Sequence, residues 1–356
     1  METCGFKLST KGRQVMRYVG ADLHKKSITF CVVEIVGSKV RVCERTRLRC
    51  DQVDRIEKFL AAQGRFQLVV ESTIGYEWFA ELADKHADRV VLAHAGKLRV
   101  IAESTRKTDK VDAYVLAEFL AKDMIPEAWR PTGRVRQHRT LLRRRCKVQS
   151  RITSIKNSMR GLLTRYNADR RDLFTKAGIE QALKTKLLGE DRWVLEDLQE
   201  ELDQQEKRLG KIDERLLEFA CQAPAREAEA RAILDTMPQA GVITVETVLA
   251  ELGDWRRFHN AAAVASYAGL EPKVRESDGR RKELGLTKAG SPLLRWIMIQ
   301  LAHRIKRRSA RWERIYAPLE KRIGGKKATC AVARRLLLVM YAMLRDGRAY
   351  QMPAVA

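Results

Sequence analysis

Paired cysteines are the feature that this sequence most clearly lacks. Its seven cysteines are scattered through 356 residues, are odd in number and form no C-x-x-C pair. This pattern argues against a zinc ribbon or a disulfide scaffold and is typical of reduced thiols in a cytoplasm. We therefore expect a cytoplasmic protein.

Long apolar segments are missing as well. The longest uncharged apolar run near the C-terminus, residues 336–344, is far too short to cross a bilayer. The N-terminal residues include Lys7, Lys11, Arg13 and Arg17, so they lack the apolar core of a signal peptide. We expect no membrane-embedded part.

Acidic residues are too few to balance the basic ones. There are 69 Lys and Arg against 45 Asp and Glu, which gives a net charge of +24. A polyanion relieves the resulting self-repulsion and releases counterions when it binds. The charge therefore favours a nucleic-acid partner, although basic proteins that bind only membrane surfaces share it.

The first third of the chain has the pattern of an α/β domain. Strand-like segments end on an acid twice, at Asp22 and at Glu71, and a β-rich pair surrounds the turn at 36–39. The predicted strands are 15–22, 27–36, 39–48, 66–71 and 89–93, and helices are predicted over 51–63, capped by Asp51, over 76–86 and onward to 122. This order predicts a mixed sheet covered by helices.

Residues 134–221 are rich in charge and have helical periodicity. Apolar residues recur every three, four or seven positions from Leu195 to Leu216, and Ala223-Pro224 ends the pattern. This predicts a long amphipathic helix, in a coiled coil or a helical hairpin, which either packs within its own domain or joins two copies. Residues 237–244 predict a tight turn into a helix, similar to a helix-hairpin-helix, and we expect Trp296 and Trp312 in the core.

Four carboxylates are the candidate catalytic groups. Asp22 and Glu71 close predicted strands, and Asp109 and Asp112 lie three apart at the start of a helix, on one face. Such acids together would repel unless hard cations such as Mg²⁺ lie between them, which suits phosphodiester chemistry. For the helix pair alone, capping by Thr108 or Asp109 and a favourable helix dipole are an equal alternative.

Several phrases resemble the DEDD transposases of the insertion-sequence "one-ten" family, which includes invertases of the Piv type. In the N-terminal half these are V-G-A-D-L-H-K (19–25), E-S-T-I-G (71–75) and K-T-D-K-V-D-A (107–113). In the C-terminal half they are Y-A-G-L-E-P (267–272), S-D-G (277–279), L-T-K-A-G-S (286–291) and L-L-R (293–295). The resemblance covers nearly the whole chain.

The resemblance implies a fold and a division of the chain. It implies an α/β ribonuclease-H-like (RuvC-like) catalytic domain at 14–130 and a helical, coiled-coil assembly region at 131–228. A mainly α-helical transposase domain would follow at 229–330, with a C-terminal helix and tail at 331–356. Family members are bacterial or archaeal, so we expect a nucleoid-associated enzyme.

The resemblance also implies a chemistry. Asp22, Glu71, Asp109 and Asp112 would bind Mg²⁺, with Mn²⁺ as a substitute, and Ser277 would attack DNA to form a phosphoserine link. The family usually has glycine after that serine, where this chain has Asp278, and Ser266 and Ser291 are the alternative nucleophiles. Such an enzyme excises and inserts a mobile element.

The implied partners are double-stranded DNA at donor and target sites, a structured guide RNA encoded in the element, and further copies of the chain in a dimer or tetramer. Two rival functions remain open: a nuclease or junction resolvase that uses the four acids alone, and a basic nucleic-acid-binding scaffold. The residues that we expect to touch nucleic acid are Lys25, Arg256, Arg257, Lys273, Arg280, Arg281, Lys288 and Arg295.

Overall fold

The computed structural model describes residues 16–101, 109–277 and 280–351, apart from the side chains of residues 99–111 and 274–284. The chain divides between Arg130 and Pro131 into two compact units. Within the described residues, every helix falls short of the length and apolarity needed to cross a membrane.

The first unit is built around one five-stranded sheet. Three of its strands, at 27–36, 66–71 and 89–93, have the predicted bounds, and the other two differ by one or two residues at an end. Its elements are β1 (Arg17–Leu23), β2 (Ser27–Val36), β3 (Lys39–Arg49), α1 (Val53–Ala61), β4 (Phe66–Glu71), α2 (Tyr76–Ala83), β5 (Arg89–Ala93), α3 (Ala95–Ile101) and α4 (Asp109–Ala121).

The sheet is mixed, as predicted, with strand order β3-β2-β1-β4-β5. β1, β2 and β3 form an antiparallel meander, whereas β4 lies parallel to β1 and β5 lies parallel to β4. The carboxyl ends of β1, β4 and β5 therefore meet at one edge of the sheet. This mixed arrangement fits the ribonuclease-H-like fold expected from the sequence.

Different helices cover the two faces of the sheet. Alternate strand residues such as Phe30 and Leu68 pack with α1 and α2. The residues between them face α4, where Val69 packs with Leu116 and Cys31 with Ala117. Both faces are buried, which explains why β2 and β4 read as nearly continuous apolar runs.

One predicted cap is wrong. α1 begins at Val53 with Gln52 at its N-cap and no capping bond from a side chain. Asp51 instead lies 2.5 Å from the guanidinium of Arg49 at the end of β3. A bidentate pair with a neighbouring guanidinium competes effectively with a single backbone N–H.

The second unit is mainly helical, as expected. It also contains a short antiparallel hairpin that the sequence patterns did not indicate. Its elements are α5 (Gly133–Thr164), α6 (Lys176–Leu183), α7 (Gly189–Cys221), α8 (Ala225–Asp235), α9 (Val242–Leu252), α10 (Ala261–Tyr267), β6 (Pro272–Ser277), β7 (Arg280–Leu286), α11 (Pro292–Ile305), α12 (Ala310–Ile323) and α13 (Gly325–Asp346).

The long helices α5 and α7 form an antiparallel hairpin. Leu195 and Leu202 of α7 are buried against Ile152 and Met159 of α5, so the predicted apolar positions pack within the same chain. Charge is segregated between the helices: α5 carries ten Lys and Arg and no acid, whereas α7 carries eleven Asp and Glu. The pairs Arg145–Asp213, Arg151–Glu201 and Lys156–Glu206 cross the hairpin.

The rest of the second unit shares one core, in which α13 runs through the centre. Trp312 is buried there as predicted, but Trp296 is 47% exposed, so that prediction is wrong. Trp296 lies on the outer side of α11, whose buried face is provided by Leu294, Ile297 and Met298. The turn before α9 joins two contacting helices, and its similarity to a helix-hairpin-helix stays a prediction.

Candidate active site

Two of the four predicted acids lie side by side at the carboxyl edge of the first unit's sheet. Ala21 of β1 pairs with Val70 of the parallel strand β4, and Asp22 and Glu71 follow these two residues. Adjacent strands lie about 4.8 Å apart, which sets the backbone separation of the two acids.

Both acids face the side of the sheet that α4 covers. Successive strand residues alternate between the faces, so Asp22 shares a face with Gly20, and Glu71 shares a face with Val69. At Gly20 the backbone of α4 comes so close that an added Cβ would lie 2.1 Å from the Ala113 carbonyl oxygen. Asp112 directly precedes Ala113, which brings the start of α4 to the end of β1.

The remaining two acids belong to the first turn of α4. Asp109 is its first residue, and the Asp112 side chain is partly buried. The side chain of Asp109 and the proposed cap Thr108 lie outside the described residues. Among the side chains that are described, no group of three or more His, Cys, Asp or Glu has the arrangement of a metal site.

The donor set nevertheless suits a hard divalent cation. Carboxylate oxygens are the ligands that Mg²⁺ and Mn²⁺ prefer, and an ion between Asp22 and Glu71 would offset the repulsion of neighbouring acids. The nearby helix start adds partial positive charge from backbone N–H groups.

Two groups beside Asp22 were not predicted as site residues. His24 Nε2 lies 3.0 Å from Asp22 Oδ2, and Thr29 of β2 stands directly opposite Asp22 across the sheet. Thr29 is 5% exposed, and its hydroxyl has no hydrogen-bond partner within the described part of the chain. The register of the β1–β2 hairpin would have identified Thr29 because directly opposed residues share a face.

The loop after β4 is held in place by its own backbone. The Thr73 N–H donates to the Glu71 carbonyl oxygen at 2.8 Å, and the Ser72 N–H donates to Ala93 at 2.9 Å. The Ser72 hydroxyl accepts from the Ala95 N–H. Glu71 is thus fixed at the end of its strand by neighbours on both sides.

Ser277 is the last residue of β6 in the second unit and pairs in register with Arg280 of β7. Its side chain and the residues Asp278 and Gly279 lie outside the described residues. Two glycines of the matching phrases flank this hairpin in sequence: a Cβ at Gly290 would lie 2.0 Å from the Tyr267 carbonyl oxygen, and Gly269 has φ +65.

The alternative serines have different surroundings. Ser291 caps α11, since its hydroxyl accepts from the Leu294 N–H at 3.1 Å. Ser266 is exposed on α10. Ser291 is therefore already committed to a structural bond, whereas Ser266 is accessible.

The expected nucleic-acid contacts divide into exposed and internal groups. The guanidinium of Arg257 stacks on Phe258 and Tyr267, and burial lowers its pKa. Arg295 donates to the Ala268 carbonyl oxygen at 3.0 Å, so both act within the fold. The side chains of Arg280 and Arg281 lie outside the described residues, and the exposed members are Lys25, Arg256, Lys273 and Lys288.

Two models of transposase families match parts of this chain. A DEDD transposase model of the IS110 group matches residues 19–168, which include the four acids. A second model, described as the transposase IS116/IS110/IS902 family, matches residues 231–317, which include Ser277.

Two curated relatives are similar over most of the chain. The transposase for insertion sequence element IS1111A from Coxiella burnetii is 24% identical over 267 residues, or 69% of each chain. The pilin gene-inverting protein of Moraxella lacunata is 24% identical over 346 residues, or 94% of this chain and 97% of the relative.

The acid-bearing sheet and the two matching models define an enzyme that acts on DNA, a transposase of the DEDD class. More narrowly, the chain belongs to the IS116/IS110/IS902 family of insertion-sequence transposases.

Proposed function

We propose that this transposase is a Mg²⁺-dependent, site-specific recombinase that excises and inserts a mobile element through a serine-linked DNA intermediate. The observation that carries the proposal is the placement of Asp22 and Glu71 on neighbouring strand ends. They lie on the sheet face where α4 brings Asp109 and Asp112.

The four carboxylates would hold and orient a divalent cation. A bound divalent ion supplies positive charge beside the scissile phosphate and lowers the pKa of an oxygen that it contacts. Asp22, Glu71, Asp109 and Asp112 would hold this ion, with Mg²⁺ as the natural ion and Mn²⁺ as its substitute. His24, 3.0 Å from Asp22, restrains that carboxylate.

Ser277 is the proposed nucleophile. Its hydroxyl gives up a proton, its oxygen bonds to phosphorus, and the bond from phosphorus to one sugar oxygen breaks. That sugar oxygen leaves and takes up a proton. The phosphodiester is thereby transferred rather than hydrolysed, so a hydroxyl of another DNA strand can reverse the step and join a new partner.

The proposal extends to the domains of the chain and to its partners. Residues 14–130 would carry the acids, 131–228 would assemble a dimer or tetramer, 229–330 would carry the serine, and 331–356 would form a C-terminal helix and tail. Donor and target DNA would be selected by an element-encoded guide RNA. Sequencing the RNA that copurifies with the protein from its host tests this: a defined transcript flanking its gene supports guidance, and random RNA contradicts it.

Covalent adducts test the chemistry. Labelled DNA that spans an element end is incubated with protein in Mg²⁺ or in EDTA, and adducts are resolved on denaturing gels. We expect adducts in Mg²⁺ with the parent protein and with the control Ser266→Ala, whose serine is exposed in the same unit. Ser277→Ala, Asp22→Asn and EDTA should each abolish them.

The second candidate is a metal-dependent nuclease or junction resolvase, favoured by the adjacency of Asp22 and Glu71, which needs no serine. It predicts cleavage that survives Ser277→Ala and is lost in Asp22→Asn. Adducts that persist in Ser277→Ala would instead assign the nucleophile to another residue.

A further inference from the structure

Three arginines form a row on the edge strand of the first unit. Arg45, Arg47 and Arg49 alternate along the second half of β3 and are all exposed. We call these three residues the β3 arginine strip. Residues two apart on a strand are about 6.7 Å apart and share one face.

The strip lies on the same face as the acids. Arg47 pairs with Thr29 of β2, and Thr29 pairs with Asp22 of β1, so the three side chains form one row across the sheet. Two strand spacings separate Arg47 from Asp22, which is about 10 Å between backbones. At about 3.4 Å per nucleotide, this distance corresponds to roughly three nucleotides of one strand.

A β-bulge determines which face of the sheet the β3 arginine strip lies on. The pairing register of β2 and β3 shifts between Val32 and Val33, so that Cys43 is left out of the ladder. Before the bulge, Arg41 bonds to Glu34, which Arg17 also contacts, on the face covered by α1. After the bulge, the arginines face the acids and α4.

Contacts with neighbouring elements confirm the orientation. The Arg45 guanidinium lies 5.7 Å from the ring centre of Tyr114 on α4. Arg47 donates to the Ser27 hydroxyl at 3.0 Å, at the rim beside the turn that carries Lys25 and Lys26. Positive charge therefore borders the acid-bearing edge.

We propose that the β3 arginine strip binds the phosphates of the DNA strand whose scissile phosphate reaches Asp22 and Glu71. The inference rests on the proposed function, because it takes the acids as the point of reaction. Charged residues on an edge strand also prevent edge-to-edge aggregation. That role is met by charges on either face, whereas phosphate binding next to the acids needs the face that the bulge selects.

Salt-dependent binding tests the proposal. Full-length protein is titrated into a fluorescein-labelled 30-nucleotide single-stranded DNA in EDTA, over a series of salt concentrations. The variant replaces Arg45, Arg47 and Arg49 with Gln. The matched control replaces three exposed cations on the opposite side of the sheet: Arg55, Lys58 and Lys85.

Each phosphate contact contributes about 0.7 to the slope of log affinity against log salt for single strands, so losing those of Arg45 and Arg47 should reduce the slope by about 1.4. Arg49 pairs with Asp51 in the free protein, and a phosphate contact that replaces this pair brings the reduction to about 2. The control should keep the parent slope, and a triple Lys variant of the strip should largely restore it. Equal slopes in parent and strip variant, or equal losses in both Gln variants, would overturn the proposal. A loss confined to RNA of the same sequence would overturn it too.

Failure of this inference is distinguishable from failure of the proposed function. The binding measurement needs no metal and no serine nucleophile. An unchanged slope together with normal Ser277-dependent adducts refutes only the proposal that the strip binds DNA. A reduced slope without any adducts refutes the proposed recombinase chemistry and supports the strip as a DNA-binding surface.

Discussion

Gly20→Ala tests whether the close packing of α4 on β1 positions the acids. The new Cβ would lie 2.1 Å from the Ala113 carbonyl oxygen and 2.6 Å from the Ala117 nitrogen, whereas real Cβ atoms essentially never come within 3.0 Å. Both obstacles are backbone atoms, so no rotamer change relieves them, and α4 has to retreat by about 1 Å at an overpacking cost of about 1–3 kcal/mol.

The shift falls on the turn that carries Asp109 and Asp112. A misplacement of about 1 Å can cost about 100-fold in rate, so we expect adduct formation to fall by that order. Stability is read from hydrogen exchange of β1 and α4 peptides, which should exchange faster in the variant. Exchange of α11 and α13 peptides in the second unit serves as an internal reference.

Gly161→Ala is the matched control. Gly161 lies in α5, and a Cβ there meets nothing within 4 Å. It should stabilise the helix by about 0.5–1 kcal/mol, because glycine is a poor residue inside a helix. If Gly20→Ala keeps parent exchange rates and parent adduct yields, the packing of α4 on β1 does not set the geometry of the acids.

Two further predictions concern the second unit. Glu246 is buried, with His138 Nε2 at 2.8 Å and Arg231 at 2.5 Å. Glu246→Ala should therefore lower the free energy of unfolding by about 3–5 kcal/mol in melting experiments. The control Glu229→Ala, at an exposed position, should change it by less than about 0.5 kcal/mol. Burial raises the pKa of Glu246, but the bonds from His138 and Arg231 outweigh it and lower that pKa below 4.5. The stability that Glu246 contributes is therefore present above pH 4.5 and lost as the pH falls further, and a parent and variant that lose stability in parallel there would contradict this. Gly290→Ala places a Cβ 2.0 Å from the Tyr267 carbonyl oxygen at φ +126, so it should disrupt the hairpin base and accelerate exchange of β6 and β7; unchanged exchange would refute this.

The strands β2 and β4 could be predicted because burial on both faces leaves them long apolar runs rich in β-branched residues. Alternation along a strand places Asp22 on the face of Gly20 and Glu71 on the face of Val69, whereas the register that sets Gly20 beside Val69 is known only from the structure. The arginine strip could not be found in this way. It depends on the bulge at Cys43, and a one-residue irregularity has no signature in local composition.

The second unit was harder to predict in detail. β6 and β7 are short and rich in charged residues, so the alternation of apolar and polar residues along them is weak. The close approach of Gly290 to Tyr267 joins residues that flank the two strands, and local sequence does not indicate it. Trp296 was expected in the core because tryptophan usually is, yet its place on α11 turns it outward. The rotational position of a residue on its helix decides whether the side chain is buried, and a single aromatic residue does not determine that position.

The separation of charge between α5 and α7 restricts how two copies could join through these helices. An α5–α5 seam would bring together two surfaces that carry ten cations each and no carboxylate. Facing an α7 instead restores partners such as Asp213 for Arg145. Contacts between copies along this hairpin are therefore electrostatically favoured only where α5 of one copy faces α7 of the other.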